Sequence, residues 1–168
     1  MTASRVRTAL ISALLLVAIQ ATVSADLTFT LTPNLEAGPP GSLLTYSGNL
    51  SYTGVNPVFL NDIQITFNGG AGAVLTGDST IFFNNVPGIF FDGDLYNGPI
   101  FGVQISPAAA PLLYSGVATI MGGDDFAANN PLASQTFFVS ATPEPATWAM
   151  FLLGGVGIVA IARKRREE

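Results

Sequence analysis

The sequence predicts an all-β outer domain, a single antiparallel sandwich of about seven strands, held between two apolar terminal segments. Three observations lead there. Apolar and polar residues alternate with period two in run after run between Leu27 and Ala141. Gly, Pro and Asn clusters punctuate those runs. Every basic residue sits at one end of the chain or the other, beside an uncharged stretch. Alternation means one face buried and one wet. Turn residues at short intervals mark hairpins and crossovers. Cations flanking apolar runs are the language of membrane targeting.

The runs come in order. Leu27, Phe29 and Leu31 alternate with Thr28, Thr30 and Thr32. Leu44, Tyr46, Gly48, Leu50 and Tyr52 alternate with Thr45, Ser47, Asn49 and Ser51. Ile63, Ile65 and Phe67 follow, then Phe101, Val103 and Ile105. Leu112, Tyr114, Gly116, Ala118 and Ile120 share a face, and Phe137, Val139 and Ala141 close the series. Turns are expected at Gly38-Pro39-Pro40-Gly41, Gly54, Asn68-Gly69-Gly70, Pro87-Gly88, Asn97-Gly98-Pro99, Pro107 to Pro111 and Gly122-Gly123. No stretch inside this region reads as a helix of convincing length. Residues 26–142 are enough for one core without disulfides, and the chain has no cysteine. A small barrel is the alternative architecture.

The two ends read as addresses. Arg5 and Arg7 precede an apolar run from Ala9 to Ile19, then Gln20, Thr22 and Ser24, then Val23-Ser24-Ala25. That is the three-part pattern of a secretory signal peptide over residues 1–25, with signal peptidase cutting between Ala25 and Asp26. At the other end, residues 146–162 are uncharged and Arg163, Lys164, Arg165 and Arg166 follow. As a helix this run spans about 25 Å, close to a hydrocarbon core. Trp148 suits one interface and the cations suit the cytoplasmic one. The domain between the two ends then faces outward.

Pro143-Glu144-Pro145, the following Trp148, the short apolar run and the terminal basic cluster resemble the PEP-CTERM sorting signal over residues 143–168. The resemblance implies a Gram-negative bacterium that makes extracellular polysaccharide. It also implies recognition by an exosortase, a membrane cysteine transpeptidase that removes the tail near Pro143, Glu144 and Pro145. The residues give this a physical sense. Pro143 and Pro145 cannot continue a strand ladder or sit inside a helix, so the segment stays extended and accessible. The stretch from Pro39 to Ala141 also resembles the Ig-like β-sandwich modules found on such proteins, through Asn49-Leu50-Ser51-Tyr52-Thr53-Gly54, Tyr114-Ser115-Gly116 and Gly122-Gly123. Tyr114 is a candidate tyrosine-corner residue, with an ordinary core tyrosine as the other reading.

Composition limits the chemistry. Between Thr8 and Ala162 there is no Lys, Arg, His or Cys. Phosphate contacts need cations, so no nucleic-acid partner is expected. Serine or cysteine catalysis lacks its usual activators, and zinc lacks its usual ligands. A glycosidase would need two carboxylates facing a cleft, but sugar sites also use aromatic platforms, and the lone tryptophan, Trp148, belongs to the tail. The outer domain therefore reads as non-enzymatic and without a cofactor. Asp92-Gly93-Asp94 and Asp124-Asp125, with Asn84-Asn85 and Asn129-Asn130, offer oxygens of the kind calcium prefers. They match no known calcium loop, and Asp, Asn and Gly also belong in turns for backbone reasons. Phe82-Phe83, Phe90-Phe91 and Phe137-Phe138 are read as strand doublets with one ring on each face.

The functional reading is an exported, non-enzymatic surface or extracellular-matrix protein sorted through its tail. It is anchored at first with the domain in the periplasm and reaches the cell surface or the medium after processing. Its partners are signal peptidase, exosortase and the membrane, with exopolysaccharide as a further candidate. The alternative is a calcium- or polysaccharide-binding module on a permanent single-pass anchor.

Overall fold

The computed structural model describes residues 26–143, and these form strands nearly throughout. The expected signal peptide and the expected membrane helix lie outside those residues. Among the described residues no helix is long and apolar enough to cross a membrane.

In chain order the elements are β1 (Asp26–Leu31), β2 (Leu35–Gly38), β3 (Leu43–Thr53), β4 (Val58–Phe67), a single 3-10 turn (Ala71–Ala73), β5 (Leu75–Asp78), α1 (Thr80–Asn85), β6 (Ile89–Phe90), β7 (Leu95–Ile105), β8 (Leu113–Gly123) and β9 (Asn130–Ala141). One sheet has four strands in the order β1-β3-β7-β5, and the other has five in the order β2-β9-β8-β4-β6. Their inner faces supply one continuous core, including Phe29, Tyr46, Leu50, Phe101, Ile120, Phe137 and Val139. No buried residue among those described is polar or charged. The all-β expectation holds, with two facing sheets.

Four details differ from expectation. The first is strand direction: β2 lies parallel to β9, so the five-stranded sheet is mixed. β1 and β9 both run toward the chain exit. The link from β1 crosses between sheets, with the Thr32 N–H donating to Ser47 O (3.0 Å) and the Phe138 N–H to Asn34 O (2.8 Å). The chain keeps its direction through this link and so meets β9 parallel. The second is strand number. Nine strands form among the described residues, and β2, β5 and β6, only four, four and two residues long, are too short to show alternation.

The third difference is local. Asn97-Gly98-Pro99 lies inside β7 rather than at a turn. Its register with β3 slips past Ile100, from Tyr46 opposite Phe101 to Ser47 opposite Pro99. β5 pairs only with residues 102–105 of β7, so the missing proline N–H faces no partner strand. The Tyr96 ring lies where a Gly98 side chain would be, and its hydroxyl donates to Pro99 O at 2.7 Å. α1 was likewise not expected. The Asp78 carboxylate accepts from the Thr80 N–H (3.0 Å) and from the Thr80 hydroxyl, which satisfies the start of a helix too short for periodicity to reveal. The Phe82-Phe83 doublet is therefore helical, yet Phe82 is buried and Phe83 exposed.

The sheets are locked by an aromatic cluster. Tyr46 of β3 stacks on Phe101 of β7 with centroids 4.8 Å apart and planes 8° apart. Phe137 of β9 meets both rings from the opposite sheet, at 5.2 Å and 5.1 Å. The Tyr46 hydroxyl reaches across and donates to Phe138 O at 2.6 Å. Gly116 of β8 pairs with Phe137, and a Cβ there would collide with the Phe137 ring and with Thr66 O. Only glycine leaves room for that ring.

Two predictions follow from this core. Gly116→Val should lower stability by about 1–3 kcal/mol through overpacking, read as a reduced denaturation midpoint with an unchanged m-value. The second concerns alkaline pH. Burial raises the Tyr46 phenol well above its ordinary range, and the Glu36 carboxylate adds to the shift, while a hydrogen bond from the Glu36 backbone opposes it. Burial also raises Tyr52 and Tyr96. An unfolded tyrosine loses its proton near pH 10, while the folded groups keep theirs. The unfolded chain then binds fewer protons, so stability present below about pH 10 is lost as pH rises further. Tyr46→Phe should flatten part of that fall. At neutral pH it should cost about 1 kcal/mol for the lost hydrogen bond, measured by denaturant melts across pH.

Candidate functional site

Strand register gives the domain two distinct ends. At one end Asp26 pairs with Thr53, Leu95 with Ser51, Phe90 with Val58 and Gly123 with Phe59. This far end carries the loops at residues 54–57, 91–94 and 124–129. At the other end Leu43 pairs with Gln104, Leu75 with Ile105, Leu113 with Ser140 and Gly38 with Ala141. The chain leaves toward its C-terminus from this second, exit end.

The far end gathers the acids singled out in the sequence. Asp92 and Asp94 occupy one turn, and Gly93 between them takes the left-handed φ of 83°. An Asp92 carboxylate oxygen accepts from the Gly54 N–H at 3.2 Å, and one from Asp94 accepts from the Phe91 N–H at 2.8 Å. The Gly93 N–H donates to Tyr52 O, and the Tyr52 N–H to Asp94 O, so the turn extends the β3–β7 ladder. Asp125 accepts from the Ala127 and Ala128 N–H groups at 2.9 and 2.8 Å. The Asn61 amide braces that loop through Asp125 O and Ala128 O. Burial is the main cause of the raised Tyr52 phenol, and Asp124 and Asp92 both add to it, so the two turns share one end.

Sharing an end does not make them a metal centre. Among the described residues no group of three or more His, Cys, Asp or Glu is placed to hold an ion. Asp94 and Asp125 each spend carboxylate oxygen on backbone N–H groups of their own loops, and Asp92 spends one on the Gly54 N–H of the neighbouring loop. Asn85 lies on α1, with its amide donating to Ile81 O at 2.7 Å. Asp92, Asp94 and Asp125 thus brace the backbone of the far-end turns.

The exit end is built differently. Ala141 is the last residue of β9, and the N–H of Thr142 donates to Gly38 O at 2.9 Å. The chain is therefore held by the sheet until Thr142, and Pro143 is exposed immediately after. Glu144, Pro145, the cluster Arg163 to Arg166 and Ala25 lie outside the described residues, and Asp26 opens β1. Tyr114, at the start of β8, donates to Ala110 O at 3.0 Å, the backbone bond four residues upstream that a tyrosine corner makes.

The structure also shows surface residues that the alternation misplaced. Leu112 was expected to face inward, yet it is 59% exposed, and Leu113 is 65% exposed. β8 starts only at Leu113, so Leu112 belongs to the preceding loop, where it bonds backbone to backbone with Ala141 and Ala110. Its position directly after Pro111 was the available signal.

No curated protein matches this chain. Among solved structures, one chain of the CaDoc0917–CaCohA2 complex is similar over 71% of this chain and 100% of its own, at 15% identity and a TM-score of 0.39. A family 123 glycoside hydrolase from Clostridium perfringens is similar over 72% of this chain at 13% identity and a TM-score of 0.37, and the match spans 27% of that enzyme. The family match concerns the C-terminal region. It begins at the last residue of β9, where the sheet releases the chain. Residues 141–166 match the PEP-CTERM protein-sorting motif, so this chain carries the sorting signal of an exported protein that is handled by an exosortase and processed at the membrane.

Proposed function

We propose that the chain is a non-enzymatic surface or extracellular-matrix protein whose folded domain is cargo. The observation that carries this reading is the junction at Ala141–Pro143. The sorting motif begins where the final strand ends. β9 is flanked by β2 and β8, and its Phe137 and Val139 are fully buried. A cut at or beyond Pro143 removes no strand and no core residue, so processing leaves the domain whole. Pro143, Glu144 and Pro145 serve as the recognised segment, and the basic cluster at Arg163, Lys164, Arg165 and Arg166 fixes topology from the cytoplasmic side. Signal peptidase frees Asp26, and β1 begins at that residue. The two packed sheets, the mixed pairing of β2 with β9 and the Tyr114 bond favour an Ig-like reading of the domain.

Composition supports a non-catalytic reading: residues 26–142 supply no His, Cys, Lys or Arg, which leaves only carboxylate chemistry. The far-end loops, with exposed Val55, Phe91, Leu95 and Phe126 beside the acids, are the one place that favours the alternative of a calcium- or polysaccharide-binding module.

Intact mass tests sorting. From an exosortase-positive host the protein should lack the residues after the Pro143-Glu144-Pro145 region. From an exosortase-deficient strain it should keep them. Retention of Arg163 to Glu168 in both strains would overturn the reading. Calcium tests the alternative. Because the Asp92, Asp94 and Asp125 carboxylates are engaged with backbone, millimolar calcium should leave the melting temperature of the processed domain unchanged. A real site at 100 times its Kd would add about 2.7 kcal/mol and shift the melt by several degrees.

A further inference from the structure

The exit end differs from the far end in charge as well as in position. Its loops, residues 39–43, 68–74, 105–113 and 141–143, carry no charge, and the nearest carboxylates are set back along the strands, Glu36 of β2 opposite Val139 and Asp78 of β5 opposite Gly102. The far end carries Asp26, Asp92, Asp94, Asp124 and Asp125. Apolar side chains are exposed at both ends, but at the exit end no acid lies in the loops beside them: Leu43 is 49% exposed, Leu112 59% and Leu113 65%, with exposed Pro39, Pro107 and Pro111 around them. Leu112 and the tail share one point of the fold, because the Ala141 N–H donates to Leu112 O at 3.0 Å.

We propose that this uncharged end, led by Leu112 and Leu113, rests on the lipid bilayer for as long as residues 144–168 remain attached. The inference depends on the membrane-sorting reading above and adds a second contact to it. Its geometric basis is the short leash. Thr142 is pinned to Gly38 O. Only Pro143, Glu144 and Pro145 separate it from the uncharged run that starts at Ala146. Three residues reach about 10 Å at full stretch. A domain tethered that closely presents its exit end to the bilayer, and the loops at that end carry none of the carboxylates an anionic lipid surface would repel, Glu36 and Asp78 being set back along β2 and β5. Exposed leucines and prolines enter the interfacial region without desolvating a charge. Because the contact persists only while the tail does, processing would turn a two-point attachment into none. A second copy of the chain or a protein partner is the competing occupant.

The test uses the full-length chain from an exosortase-deficient strain, reconstituted in vesicles of phosphatidylcholine and phosphatidylglycerol that contain brominated acyl chains. The natural chain has no cysteine, so Ala110→Cys at the exit end and Ala127→Cys at the far end each accept a single environment-sensitive fluorophore. Trp148, the only tryptophan, reports on the tail in the same sample. The expected result is bromine quenching of Trp148 and of the probe at position 110, with none at position 127. Adding Leu112→Ser and Leu113→Ser should abolish quenching at position 110 and leave Trp148 quenched. Both leucines are exposed, and an unchanged near-ultraviolet dichroism would confirm the fold. Quenched Trp148 with an unquenched probe at 110 would overturn the docking inference and leave membrane sorting intact. An unquenched Trp148 would remove the membrane reading, and the docking inference with it. Shielding at 110 that tracks protein density rather than brominated lipid would assign the face to a second copy and also overturn the proposal.

Discussion

The architecture depends on one contact between sheets: Tyr46 stacked on Phe101, met by Phe137, with the Tyr46 hydroxyl on Phe138 O. Two faces of apolar side chains attract without direction and could slide or rotate against each other. A hydrogen bond from a buried ring to one particular carbonyl has direction, and leaving that carbonyl unpaired would be costly. The bond ties β3, the second strand of one sheet, to β9, the second strand of the other. The aromatic rings take edge and stacked arrangements that favour their quadrupoles. Gly116 provides the gap that Phe137 fills. The chain has no cysteine, so this tie between the sheets is made without a disulfide.

Fixing β9 also fixes where the tail leaves. β9 pairs with β8 along most of its length and with β2 over its last residues, Phe138 to Ala141. The final bond, from Thr142 to Gly38, lies at the end of β2. A strand paired on both sides up to its end frays little, so the handover from folded domain to sorting motif is sharp. Accessibility of the segment is then set by proline chemistry and not by loosening of the fold. Pro143 lacks an N–H, so the ladder cannot extend through it.

The sequence made this much legible where strands are long and one face is wet. β3 shows its buried set, Leu44, Tyr46, Gly48, Leu50 and Tyr52, without a break. Phe137, Val139 and Ala141 are equally plain. Legibility fails where tertiary context overrides local signal. Asn97-Gly98-Pro99 has turn composition, yet a bulge and an open flank let it continue as strand. Pro131 is accommodated in the same way, beside the irregularity where β9 skips Leu132 opposite Ile120 and Met121. Short elements such as β2, β6 and α1 hold too few residues for any period to show. The acidic turns were visible as clusters, but only the structure gives the backbone N–H groups that occupy Asp92, Asp94 and Asp125. The sorting motif was legible because its parts are read linearly, as order and spacing along the chain.

The separation of charge has a physical consequence. β3 spans the domain from one end to the other, and its 11 residues extend over about 35 Å. The Debye length at physiological ionic strength is about 8 Å. Carboxylates at the far end therefore lie several screening lengths from anything touching the exit end. They can keep an otherwise apolar, lysine-free domain soluble without repelling an anionic surface at its other end. Placing the same acids in the loops at residues 39–42 or 106–112 would give the same net charge and the opposite result. The proposed docking therefore rests on the position of charge along the sandwich and not on its total: turns that need Asp for backbone reasons hold their carboxylates at the far end, and the loops at the exit end carry none.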